Sequence, residues 1–224
     1  MNHEDFLIKS LGGCDVESPL KRMSLKKDNP IYRFVSDDER ILYDSSLTNF
    51  FHCNKTGEIP ISFEKAGPRE KIFFQPAKTK VAIVTCGGLC PGLNNVIRSL
   101  VNQCYYRYNI TSIFGIKYGY EGLIPKYNHE LIELTTKMVA DIDLQGGTFL
   151  GSSRGQQEVD KMVDTLEIMN VNILFCIGGD GTLRGAHAIH EEIERRGLKI
   201  SVAGIPKTID NDIDLIQKSF GFES

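Results

Sequence analysis

The chain reads as an α/β protein with a doubly wound, mostly parallel sheet, and three observations predict it. From about residue 80 onward, short β-branched runs alternate with segments of helical period. The run "VNILFCI" (171–177) is apolar almost throughout, as in a strand covered on both faces. Glycine-rich turns stand where the strands should end, and open sheets of this kind bind ligands beyond the carboxyl ends of their strands.

The elements follow in order. Residues 1–79 mix charges, prolines and short aromatic runs without a sustained period, which predicts an N-terminal extension holding one or two short strands. "KVAIVT" (80–85) predicts the first strand of the α/β domain, 80–224. It runs through "CGGLCPG" into "NNVIRSLVNQC", where Val96, Ile97, Leu100, Val101 and Cys104 share a helical face. "TSIFGI" predicts a second strand, and "QQEVDKMVDTLEIM" a helix packed through Val159, Met162, Val163, Leu166 and Met169. "VNILFCI" then leads into "GGDGT", a helix through "RGAHAIHEEIERRG" that stops at Gly197, and a last strand "KISVAGI".

Composition excludes several classes of function. With 26 basic against 29 acidic residues the net charge is -3, and no basic face of the kind that binds nucleic acid stands out. No apolar run approaches a membrane span, and "MNHEDFLIKSLGG" is not a secretory signal, so the expected location is the cytoplasm. The six cysteines are dispersed and read as reduced, small apolar residues. Cys86 and Cys90 are included, because no second pair at ligand spacing follows them. His187 and His190, three apart on a helix, read as partly exposed positions rather than metal ligands.

Three motifs fall at the predicted binding edge. The loop 87–92 lacks the spacing of a dinucleotide fold, and Leu93 and Asn94 stand where a phosphate loop of the Walker type carries lysine and a hydroxyl. Its glycines still permit backbone N–H groups and a helix N-terminus to approach an anion, although a plain tight turn uses the same residues. "IGGDGT" presents one carboxylate, Asp180, at a strand end, which suits a magnesium ion shared with a polyphosphate and equally suits an acidic turn. "GGTFLGSSRG" carries Arg154 among small residues, where a planar guanidinium can lie across phosphate oxygens as charge builds on them.

In "PKTIDNDI" the carboxylates of Asp210 and Asp212 stand two apart, on one face if extended or converging around a turn. One can accept the proton of an attacking hydroxyl while the other orients it, and an Asp/Asn turn with no chemistry is the alternative.

Taken in order, "CGGLCPGLNNVIR", "GYEGL", "GGTFLGSSRG", "IGGDGT" and "PKTIDNDI" resemble the N-terminal half of the 6-phosphofructokinase family. "AGPREKIFF" is similar to the extension of its long ATP-dependent members in plants and some protists and bacteria, so the resemblance runs from about Ala66 to Ser224. It implies a glycolytic kinase that transfers a phosphoryl group from ATP, with Mg2+, to the 1-hydroxyl of fructose 6-phosphate, and a homo-oligomer. Gly88, Arg154, Gly155, Gly179, Asp180, Gly181 and Thr182 would line the nucleotide site, with Asp180 toward the metal. Lys207, Thr208, Ile209 and Asp210 would face the sugar phosphate, Asp210 would take the hydroxyl proton, and Asp212 would support it.

Donor choice rests on two positions in this resemblance. Pyrophosphate users carry aspartate where this chain has Gly181, which implies ATP, whereas Lys207 is shared with them. The long ATP enzymes combine both residues. The family's second domain, which supplies most of the cations that hold the sugar phosphate, has no counterpart here, and past Asp212 the one basic residue is Lys218. The expectation is therefore that these 224 residues do not complete a turnover alone. The alternatives are a pyrophosphate-dependent phosphotransferase and a non-catalytic nucleotide-binding fragment. A lipid or dinucleotide kinase could share "GGDGT" but not "PKTIDNDI" or "GGTFLGSSRG".

Overall fold

The computed structural model describes residues 6–23 and 33–224, and the chain divides into two compact units, Met1–Phe73 and Phe74–Ser224. In the first unit lie β1 (Val16–Glu17), β2 (Arg40–Leu42), α1 (Leu47–Thr56), β3 (Ser62–Glu64) and β4 (Lys71–Ile72). β1 pairs with β4 and β2 with β3, both antiparallel. The helix departs from the expectation of short strands alone, and its signals are local. Ser46 caps the N-terminus by accepting a hydrogen bond from the Asn49 N–H at 3.3 Å. Gly57, at φ 76°, closes the other end, its N–H donating to the Cys53 carbonyl at 2.9 Å.

The second unit holds β5 (Lys80–Thr85), α2 (Leu93–Asn102), β6 (Ser112–Ile116), β7 (Leu131–Glu133), α3 (Val159–Ile168), β8 (Ile173–Gly178), α4 (Asp180–Arg195), β9 (Ser201–Thr208) and β10 (Phe220–Gly221). The strands form one sheet in the order β10-β9-β8-β5-β6-β7. Every pairing is parallel except β6 with β7 at one edge. The sheet is covered on both faces, and β5 shows how. Its Val81 and Ile83 pack with Leu93, Ile97 and Val101 of α2, while Ala82 and Val84 pack with Met162, Val163 and Leu166 of α3 and Ala186, Ile189 and Ile193 of α4. Each valine, leucine, isoleucine or methionine among them contributes about 1.5–3 kcal/mol on burial. The predicted face of α2 is inward as expected, with Cys104 carried on a wider π-type turn, residues 103–107, after the helix.

Two boundaries differ from the expectation, and both matter for the site. The "GGDGT" segment is not a loop: α4 begins at Asp180, capped by Gly179, so Asp180 stands in the first helical turn. β9 continues past Ile205 to Thr208, because its register with β8 runs on to the pair Gly178 and Pro206 and its last two residues pair with Phe220 and Gly221 of β10. Gly197, at φ 67°, stops α4 where the sequence places its end. The short edge strands β7 and β10 carry too few residues to show a period.

From β5 the chain moves to β6 on one side and returns to β8 on the other. The segments leaving β5 and β8 therefore part company at the carboxyl edge, and a crevice opens between them.

Candidate functional site

The turn after β5 and the segment around Gly151 are stitched together by hydrogen bonds. The Thr85 hydroxyl donates to the Gly151 carbonyl at 2.7 Å and lies 2.9 Å from the Thr148 hydroxyl. The Ser152 hydroxyl donates to the Gly87 carbonyl at 2.6 Å, and the Gly87 N–H donates to the Ser153 carbonyl at 3.0 Å. Buried Asn94 clamps the approach: its Oδ1 accepts from the Phe149 N–H at 2.7 Å and its Nδ2 donates to the Gln145 carbonyl at 3.0 Å. Gly87 holds φ 83°, a conformation that glycine adopts without strain.

This stitching sets Arg154 against Gly88. A Cβ added to Gly88 would stand 3.4 Å from Arg154 Nη2 and 3.9 Å from Lys207 Nζ. The Lys207 ammonium, buried at the end of β9, donates to the Gly88 carbonyl at 2.5 Å. Two cations thus converge on one glycine turn, beside the N-terminus of α4 and the positive end of its dipole. That combination attracts an anion.

The glycines of "IGGDGT" differ in what they serve. A Cβ on Gly178 would fall 2.1 Å from Thr182 Oγ1 and 2.8 Å from the Cys86 carbonyl oxygen, so packing requires that glycine. A Cβ on Gly181 would meet nothing within 4 Å, so packing does not require that one. Asp180 is exposed, its carboxylate 3.7 Å from Arg184 Nη1 one helical turn on.

These groups line one cleft of about 680 Å³ at the switch point. Gly88, Arg154, Gly155, Gly179, Asp180, Gly181, Thr182 and Lys207 all contribute to its wall. Residues the motifs did not single out complete it: Tyr120, Ser153, Gln156, Gln157, Arg184, Gly185 and Ala188, with Val159 and Met162 from the inner face of α3. The cleft has a cationic, amide-rich end near Gly88 and a more apolar end between α3 and α4. Beneath it the thiols of Cys86 and Cys176 are both pushed up to about 12 by burial, and burial likewise raises the Tyr120 hydroxyl. The floor is uncharged at neutral pH. His187 lies outside this wall, 3.5 Å from Glu191, with its ring centroid 6.5 Å from that of His190.

Thr208, Ile209, Asp210 and Asp212 are not part of that wall. Beyond β9 the chain turns, which decides between the two arrangements open to "PKTIDNDI". Asn211 takes φ 52°, its Nδ2 donates to the Gln217 carbonyl at 3.0 Å, and its Oδ1 accepts from the Ser219 N–H at 3.2 Å. The buried Thr208 hydroxyl donates to Asp212 Oδ1 at 2.6 Å and accepts from the Asp210 N–H at 3.1 Å. Asp212 is thereby fixed to the strand end. Asp210 and Ile209 face solvent.

Residues 80–224 match the family model described as "Phosphofructokinase". An ATP-dependent 6-phosphofructokinase of Borreliella burgdorferi is 49% identical over 220 residues, covering 98% of this chain and 48% of that protein. One from Entamoeba histolytica is 58% identical over 180 residues, covering 80% of this chain and 40% of that protein. The chain spans about half the length of the curated relatives it matches. Among solved structures, a pyrophosphate-dependent phosphofructokinase from Marinobacter aquaeolei superposes with a TM-score of 0.59 at 20% identity, over 65% of this chain and 38% of that one. At that identity the likeness speaks for the fold.

Proposed function

The chain belongs to the phosphofructokinase family, and on that premise we propose that its cleft holds the donor nucleotide for phosphoryl transfer from ATP to the 1-hydroxyl of fructose 6-phosphate. The observation that carries this reading is the convergence of Arg154 and Lys207 on the Gly88 turn, beside the first turn of α4. A triphosphate supplies the anion that such a pair of cations balances, and the apolar end between α3 and α4 suits a base.

The division of labour follows from the placement of each group. Backbone N–H groups near Gly88 and the N-terminus of α4 align the β- and γ-phosphates, and Arg154 lays its fork on the oxygens that gain charge. Asp210 accepts the proton of the 1-hydroxyl. That oxygen then bonds to the γ-phosphorus while the bond from γ-phosphorus to the bridging oxygen breaks, and ADP departs. Thr208 and Asp212, hydrogen-bonded to each other, hold the turn that presents Asp210. Ile209 completes the face toward the sugar phosphate, and Lys207, at the end of β9 and in the cleft wall, serves both that face and the donor.

The single exposed carboxylate of Asp180 at the cleft fits Mg2+, which keeps most of its water and takes one or two carboxylates plus phosphates. Bound there, the ion would neutralise polyphosphate charge. The reading places the protein in glycolysis as a cytoplasmic homo-oligomer. Among the described residues no helix is long and apolar enough to cross a membrane.

Lys207 is the observation that favours a pyrophosphate donor, and the open space over Gly181 favours ATP. That space is what a nucleotide beyond its phosphates needs, and an aspartate would fill it with like charge. Titration calorimetry of the chain with Mg-ATP and with Mg-pyrophosphate, beside a coupled assay for fructose 1,6-bisphosphate, tests the choice. Binding of pyrophosphate without ATP, or sugar-dependent turnover of pyrophosphate alone, would overturn it. The chain by itself is expected to bind Mg-ATP but to need further cations for the sugar phosphate before turnover is measurable.

A further inference from the structure

We propose that Tyr120 is a positioning residue, which holds the first turn of α4 at the angle that faces the cleft, and that Gly185 is glycine to admit it. The inference rests on the donor reading above, but its structural half stands apart from that reading.

Tyr120 lies in a 3-10 turn, Gly119–Leu123, that follows β6, and it is buried. Its hydroxyl donates to the Thr182 carbonyl at 2.7 Å. The same side chain packs in one buried cluster with Cys176 on β8 and with Cys86, just past the end of β5. One residue therefore touches the three elements that diverge to make the cleft. Its ring lies flush on α4, since a Cβ on Gly185 would stand 2.6 Å from Tyr120 Cε2 and 3.3 Å from its hydroxyl oxygen. The three atoms nearest to such a Cβ all belong to Tyr120, which gives a reason for a glycine in the second turn of a helix, where glycine disfavours the helix relative to alanine.

The hydrogen bond is not needed to satisfy Thr182. Thr182 lies within α4, where its carbonyl has the usual helical partner four residues on, so the tyrosine is a second donor. What the second donor adds is a lateral hold on the turn that carries Asp180, Gly181 and Thr182, all three of which line the cleft. Burial keeps the phenol protonated, so it remains a donor across the neutral range.

The test compares the whole chain with Tyr120→Phe, which keeps the ring and removes the hydroxyl, and with Gly185→Ala, which displaces the ring. Amide hydrogen exchange of the unliganded proteins reads the hold directly. The phenylalanine variant should raise exchange in the first two turns of α4 roughly three- to tenfold, as expected for one lost hydrogen bond, and leave α3 unchanged. Gly185→Ala should raise it at least as much. Mg-ATP affinity, by titration calorimetry, should fall by a similar factor in Tyr120→Phe while the melting temperature without ligand stays close to that of the parent.

Unchanged exchange in α4 would overturn the proposal. Raised exchange with unaltered Mg-ATP affinity would overturn the positioning role and leave a structural one. If the parent chain binds no Mg-ATP, the donor reading fails, and the hold itself is still decided by the exchange data.

Discussion

The cleft and the turn beyond β9 are built differently, although both stand at the same edge of one sheet. Around the cleft, main-chain turns are held in place by hydroxyls, a buried amide and glycines. Thr85, Ser152, Asn94 and Thr148 are spent on internal bonds, and the two cations meet at a single carbonyl turn. At the turn stand two exposed carboxylates, one tied to Thr208 and the other in solvent. On the proposed reading, the difference teaches that a polyphosphate cleft held by internal hydrogen bonds is set before the ligand arrives. A proton acceptor needs to be correct only when the second substrate is present.

The largest effect should come from the turn. Under conditions where transfer to fructose 6-phosphate is measurable, Asp210→Asn is expected to lower its rate by about 10²–10⁴-fold, the usual share of a general base, with Mg-ATP affinity unchanged. A variant that turned over normally in the coupled assay would erase the contrast between the two regions. Next, Arg154→Ala should weaken Mg-ATP binding about 10- to 100-fold, the worth of a charge-assisted hydrogen bond, without unfolding the protein. Calorimetry that found no loss would mean the guanidinium is merely solvated.

Gly181→Asp sharpens the comparison further, because it separates packing from binding. With nothing within 4 Å of the new Cβ, and an acidic residue favoured in a first helical turn, the melting temperature should hold or rise slightly. Mg-ATP binding should nevertheless fall, and by more than any loss toward pyrophosphate. A fold that collapsed in this variant would show that the glycine serves packing after all.

The smallest effect concerns the floor. The thiols of Cys86 and Cys176 are held up to about 12, above the ordinary value near 8.5, so below that value both folded and unfolded chains keep their protons and the stabilisation is fully present. Above it the unfolded chain loses protons that the folded one retains, and stability falls as pH rises toward 12. Denaturant midpoints should be flat near neutrality and decline from about pH 9, with Cys176→Ala flattening part of the decline. An alkaline limb unaltered by that substitution would locate the loss elsewhere.

Much of this was legible from residues alone, and the particular elements show why. β5, β8 and the inner face of α3 announce themselves because burial on two sides demands apolar runs, and amphipathic packing demands a period. The helix α1 was equally announced by Ser46 and Gly57, but its apolar stripe is too weak to draw attention to the caps. The start of α4 was obscured because glycine disfavours helix in isolation, whereas in the fold the Thr182 and Leu183 N–H groups close the first turn on the Gly179 carbonyl at 2.9 and 3.0 Å. Tyr120 carried no signal beyond its place in "GYEGL", since a tyrosine in a turn is commonplace until its hydroxyl is seen on Thr182.

By itself, then, the order of residues determined the alternation of strands and helices, the glycine turns at their ends and the chemical types available there. These are local properties, set by hydrophobic period and backbone freedom. Which side chains meet was decided by the tertiary structure alone: that Lys207 lies against Gly88, 119 residues away, that Arg154 joins it, and that Asp210 stands outside the cleft. The reason is that strand order and register bring distant segments to one edge, and no interval along the chain records that distance.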